Sequence, residues 1–157
     1  MEIIKKHGVK ILCLIALIAL FFPMASITVS SAYTDDYVTN ISGFTVAFQG
    51  YICMLLIVGP VAIVAADYIA VVKRLRALVQ AGVSVLGIVL TFVGYLQASK
   101  IAAAGDAVGM GYADSEAAIG FGGILCLIAY IGVLAITVLF QKEEFVENIN
   151  ALKNTSK

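Results

Sequence analysis

Residues Ala81–Ser99 read AGVSVLGIVLTFVGYLQAS. The run is apolar enough for a bilayer, yet a small or hydroxylated residue returns at almost every turn. Extended in both directions, the series is Ala77, Ala81, Ser84, Gly87, Thr91, Gly94 and Ala98. Its mean step of about 3.5 residues is the period of a left-handed helix-packing seam. Lipid tails are as apolar as leucine, so hiding bulk gains nothing there. Helices associate instead by close backbone approach, which small side chains permit. The stretch therefore predicts a membrane helix packed along one small-residue face. Ala118, Gly122, Cys126, Ala129, Gly132 and Ala135 repeat the device, and Ala62, Ala66 and Ala70 form a shorter version. A helix of the same chain or of a second copy satisfies such a face equally well.

Composition extends this reading to the whole chain. Of 157 residues, 62% are hydrophobic and only 13% charged, with a mean hydropathy of +1.04, too few polar groups to cover a soluble domain. Apolar blocks fall at about 9–29, 44–72, 77–98 and 117–140, each near the roughly 20 residues that cross a hydrocarbon core as helix. The expected fold is all-α, an antiparallel four-transmembrane-helix bundle over residues 1–140, followed by a tail over 141–157. Lys5, Lys6, Lys10, Lys73, Arg74, Arg76, Lys142, Lys153 and Lys157 all flank one side of these blocks, leaving Lys100 alone on the other. Asp35, Asp36, Asp106, Asp114 and Glu116 occupy the opposite loops. The positive-inside rule then places both termini in the cytoplasm of a multi-pass protein. Cations placed at headgroup level offer no surface suited to nucleic acid.

Several segments refine the outline. The basic start KKHGVK, the run ILCLIALIALFF and the small residues Ser30-Ser31-Ala32 imitate a signal peptide. The apolar run continues through Met24–Val29, however, longer than such peptides carry, so an uncleaved helix is expected. MASITVSS and ISGFTVAF both alternate with period two across the turn-rich AYTDDYVTN. A small extracellular β-hairpin between helices 1 and 2 fits this pattern, and so do two helix ends. Gly59-Pro60 interrupts the second block and predicts a kink. Asp114 or Ser115 is expected to cap the fourth helix. In the tail, Phe145, Ile149 and Leu152 share one face of an amphipathic helix and are expected to dock it.

Chemistry-bearing residues are sparse. Asp67 is the one ionisable residue well inside an apolar block, where such groups are functional candidates by default. Arg74, seven residues on, shares its face and supplies a structural explanation. His7 is the single histidine, so no acid–base or nucleophile–base pair is available. Cys13, Cys53 and Cys126 lie within helical blocks, without the spacing of a disulfide framework or metal site. GDAVGMG has glycines but no lysine and no preceding strand, unlike a phosphate loop. No enzyme, cofactor or metal is expected.

The four apolar blocks, the inward-facing ends and the β-patterned first outer loop together resemble the layout of claudin-type tetraspan proteins. The resemblance is one of topology, since this chain lacks the tryptophan and paired cysteines of that family's first loop. It implies lateral self-association through the extracellular loop and carries over no functional residue. The expected function is that of an integral membrane structural or scaffold protein, assembling through its small-residue faces into a homo-oligomer or extended array. Its partners would be lipid and itself. One alternative is a small transporter or channel subunit working through Asp67 and the Gly59-Pro60 break. Another is an accessory or immunity-type protein binding one partner at the outer acidic loops.

Overall fold

The computed structural model describes residues 2–31, 34–48, 52–66, 68–69, 75–108 and 113–155. In chain order these form α1 (Glu2–Ala19), β1 (Pro23–Ser31), β2 (Thr34–Ser42), α2 (Gly43–Phe48), α3 (Leu55–Ala65), α4 (Arg76–Val108), β3 (Ala113–Ile119) and α5 (Phe121–Ala135). A π-helical turn (Ile136–Phe140) and α6 (Lys142–Thr155) complete the chain. The expectation of an all-α four-helix membrane bundle is corrected on two counts. The chain contains a three-stranded antiparallel sheet in the order β2-β1-β3. Among the described residues, only Arg76–Ala104 and Phe121–Phe140 are long and apolar enough to cross a membrane, whereas His7–Ala19 and Leu55–Ala65 fall short.

Local chemistry explains both corrections. The end of α1 tightens into bonds from Leu20, Phe21 and Phe22 to the carbonyls three residues earlier. Pro23 then starts β1, where the β-branched Ile27, Thr28 and Val29 suit a pleated strand. The block expected at 44–72 is divided. Ser42 caps α2 by accepting the Thr45 N–H at 3.2 Å, and α3 restarts only at Leu55 after turn residues 52–54. ISGFTVAF is thus mostly helix, and β1 pairs instead with Thr34–Ser42.

The third strand replaces an expected loop and helix cap. Ala113–Ile119 pairs along the other edge of β1, with Ala25 opposite Ile119 and Ile27 opposite Ala117. Asp114 and Ser115 therefore lie in a strand, and Gly120 occupies the N-cap of α5 without a side-chain cap. One sheet face, with Ala25, Ile27, Val29, Ile41 and Ala117, closes on Ala98 and Ala102 of α4. The other presents Thr28 between Val38 and Glu116.

Beneath the sheet, α5 packs against α1 and α4, and α3 packs against the same two helices. A first core cluster sits just under the sheet and includes Leu20, Met24, Val46, Leu56, Leu90 and Tyr130. A second, around Val9, Cys13, Ile63 and Val133, lies nearer the opposite end. Edge-to-face ring pairs, Phe21 with Phe44 at 4.8 Å and Phe22 with Phe121 at 5.5 Å, tie the end of α1 to α2 and α5.

Candidate functional site

The packing node at the centre of the helices begins with Pro60. A proline inside a helix cannot donate to the carbonyl four residues earlier, here that of Leu56. The phenol of Tyr130, on α5, donates to this carbonyl across a long 3.3 Å hydrogen bond. Tyr130 is fully buried, and its ring lies over Gly87 of α4. A Cβ at position 87 would sit 2.5–2.6 Å from three ring carbons. Gly59, beside the proline, admits Val83 almost as closely, at 2.8 Å from where its Cβ would be. α3 runs through Gly59-Pro60 without interruption, and the pair is held from two sides.

The small-residue faces are filled within the chain. Ala77, Ala81, Ser84, Gly87, Thr91, Gly94 and Ala98 are all buried along α4. Gly94 leaves room for Val46, and Gly132 for Leu12. Gly122, Cys126 and Ala129 are buried on α5. A Cβ at Gly122 would come 2.5 Å from the Ala19 carbonyl oxygen and 2.7 Å from that of Phe22, so backbone meets backbone there. One turn on, the Cys126 thiol reaches the Ala16 carbonyl at 3.7 Å. Ala118, now on β3, and Ala135 are exposed and stand outside the seam. Ala62 is half-buried and Ala66 buried on α3, while Ala70 lies outside the described residues.

A polar cluster occurs where no single motif points to one. Gln80, Ser84, Thr137 and Gln141 are all buried. Ser84 donates to the Gln80 carbonyl at 2.6 Å. The Thr137 hydroxyl lies 2.9 Å from the Val133 carbonyl and 3.3 Å from Gln80 Oε1. Thr137 belongs to the π-helical turn, a distortion that often accompanies functional or strained positions. Gln141 Oε1 is buried without a hydrogen-bond partner among the described residues. The signal in the sequence was the pair of four-residue spacings, Gln80 to Ser84 and Thr137 to Gln141, inside otherwise apolar runs.

The remaining candidates are scattered. Asp67 lies outside the described residues, as does Arg74. Phe145 and Ile149 are half-buried on α6, which packs against α4 and the π turn; the Leu152 side chain is outside the described set. Cys53 and Cys126 share the first core cluster, and none of the three cysteines forms a disulfide. Among the described residues, no three His, Cys, Asp or Glu side chains gather as a metal site would require.

No family model, curated protein or solved structure matches this chain.

The surface around the node is therefore the guide to what it does. Large apolar side chains point outward from every long helix: Ile11, Leu14 and Ile18 on α1, Val58 and Val61 on α3, Val85, Val89 and Phe92 on α4, and Ile124, Ile128 and Ile131 on α5. On each helix they recur three, four or seven residues apart, and on α4 they lie opposite the small buried face.

Proposed function

We propose that this chain is an integral membrane structural or scaffold protein that associates with further copies of itself. The observation that carries the reading is the size of the exposed side chains: bulky apolar residues face outward on every long helix, while Ala, Gly, Ser and Thr line the buried face of α4 and share the core with Leu20, Met24, Leu56 and Tyr130. Water would penalise that surface heavily, at roughly 25 cal/mol per Å² of apolar area, whereas lipid tails solvate it. The basic flanks of α1 and α4 and the acidic sheet end favour insertion with the sheet outside and the termini in the cytoplasm.

The small-residue faces are occupied by the chain's own helices, so association falls to another surface. The outer sheet supplies one. β2 is an edge strand among the described residues and exposes Tyr37 and Val38. Unpaired strand edges recruit further strands. A transporter hinge at Pro60 is less favoured, because α3 is continuous there and Tyr130 and Val83 brace it on both sides.

Native mass analysis with electron microscopy after gentle membrane extraction tests the reading. A homo-oligomer or ordered array is expected, and it should dissociate on Val38→Lys, which charges the β2 edge. A wild-type chain that is strictly monomeric in native lipid would overturn the scaffold reading.

A further inference from the structure

Gln141, just past the π turn, is only 9% exposed, and its Oε1 is buried without a hydrogen-bond partner among the described residues. An amide oxygen closed off from solvent and left unmatched is destabilising. One turn back along the chain lies Thr137, whose carbonyl accepts the Gln141 N–H at 3.2 Å. The Thr137 hydroxyl has a single proton, directed toward the Val133 carbonyl or Gln80 Oε1, so its lone pairs can only accept. Ser84 likewise gives its proton to the Gln80 carbonyl at 2.6 Å. The corner between α4, the π turn and α6 is therefore rich in acceptors and short of donors.

We propose that one water molecule is bound at this corner, donating to Gln141 Oε1 and to Thr137 Oγ1 and accepting from the side-chain amide of Gln80. A buried water ordinarily makes about three hydrogen bonds and sits where protein groups are otherwise unsatisfied. The Gln80 amide nitrogen is near enough to serve, because the oxygen of the same group already lies 3.3 Å from the Thr137 hydroxyl. A metal ion suits the corner less well. The buried polar side chains that meet here are neutral amides and hydroxyls, whereas hard cations draw on carboxylates and on roughly six or more oxygens. The water joins three elements: Gln80 belongs to α4, Thr137 to the π turn, and the Gln141 carbonyl accepts the Phe145 N–H of α6 at 2.9 Å. Because α6 packs on both α4 and the π turn, the water lies at the root of the tail helix and steadies its docking. The site is the same whether lipid or protein covers the outer faces of the helices.

The test is nuclear magnetic resonance of the full chain in detergent micelles, with isotope-labelled glutamine. A water held longer than the particle takes to tumble gives the Gln80 side-chain amide a cross-peak to the water signal. That cross-peak changes sign between laboratory-frame and rotating-frame spectra, as neither surface water nor proton exchange makes it do. It is expected in the wild type and should be lost in Gln141→Met, which keeps the length of the side chain but removes its acceptor. Gln141→Met should also lower the Tm and speed amide hydrogen exchange along α6. A dry corner predicts the reverse, because removing an orphaned oxygen would then relieve a buried defect and raise the Tm. Absence of the wild-type cross-peak, or a Gln141→Met chain with unchanged or raised Tm, would overturn the site. A Tm that climbs with sodium or potassium chloride, but not with choline chloride at equal ionic strength, would overturn the water in favour of a cation.

Discussion

The two ends of α4 are closed by opposite means. At the sheet end, Ala98 and Ala102 meet the apolar side chains of Ala25, Ile27 and Val29, the neighbouring contact at Gly122 is backbone on backbone, and the polar exception is Gln97, whose Oε1 is buried without a hydrogen-bond partner among the described residues. At the other end, Gln80, Ser84 and Thr137 exchange hydrogen bonds beside a π-helical turn, and Gln141 keeps a buried oxygen without a partner. Close packing of small residues tolerates almost no added volume, because atoms held at contact distance have nowhere to go. A hydrogen-bonded end tolerates changes of shape but not the loss of one partner, which leaves the other buried and unsatisfied. The difference teaches that the sheet end fixes the geometry of the molecule, while the polar end is the softer of the two.

Four substitutions would break or sharpen this contrast. The largest effect is expected for Gly122→Leu, whose side chain must enter the Ala19 and Phe22 backbone. It should cost more than about 4 kcal/mol and yield aggregate on size exclusion in detergent. Gly87→Ala comes next. Its methyl group meets the Tyr130 ring, and a loss of about 1–3 kcal/mol by thermal unfolding in micelles is expected, largely relieved when Tyr130 is also changed to Leu. At the polar end, Thr137→Val should cost about 1–2 kcal/mol by leaving Gln80 Oε1 without its donor. The double change Gln80→Leu with Thr137→Val should cost less than the single one. A double mutant that is worse than the sum of its parts would mean the polar end is as tightly packed as the sheet end. Smallest of all, Val89→Ala on the exposed face should alter stability by no more than about 0.5 kcal/mol. A large effect there would reveal that protein covers this face.

The seam along α4 was legible because a small-residue period needs nothing beyond the helix itself. The strand in MASITVSS was also visible as period two, but its partners were not. TDDYVTNIS alternates only weakly, and ADSEAAI is rich in alanine, a helix former by propensity. Both become strands through pairing with β1, a tertiary effect that outweighs local preference. ISGFTVAF misled in the opposite direction. Its alternation is real, yet Ser42 caps a helical turn that buries Val46 and Ala47 together. The node of Pro60, Tyr130 and Gly87 was half visible. The proline and glycine announced themselves, but Tyr130 could be matched to the orphaned Leu56 carbonyl only once α3 and α5 were placed side by side.

The order of the sheet has a consequence for how the molecule is made. β1 is the central strand, yet one of its two partners follows it in the chain only after α4, beginning at Ala113. At ribosomal rates of about 5–20 residues per second, the delay between them is on the order of ten seconds. Throughout that interval one edge of β1 stands open, and the long helix that will cover its inner face is still emerging. Folding must therefore hold an unfinished strand until α4 and β3 have been made, which makes the last strand, rather than the first, the one that locks the sheet.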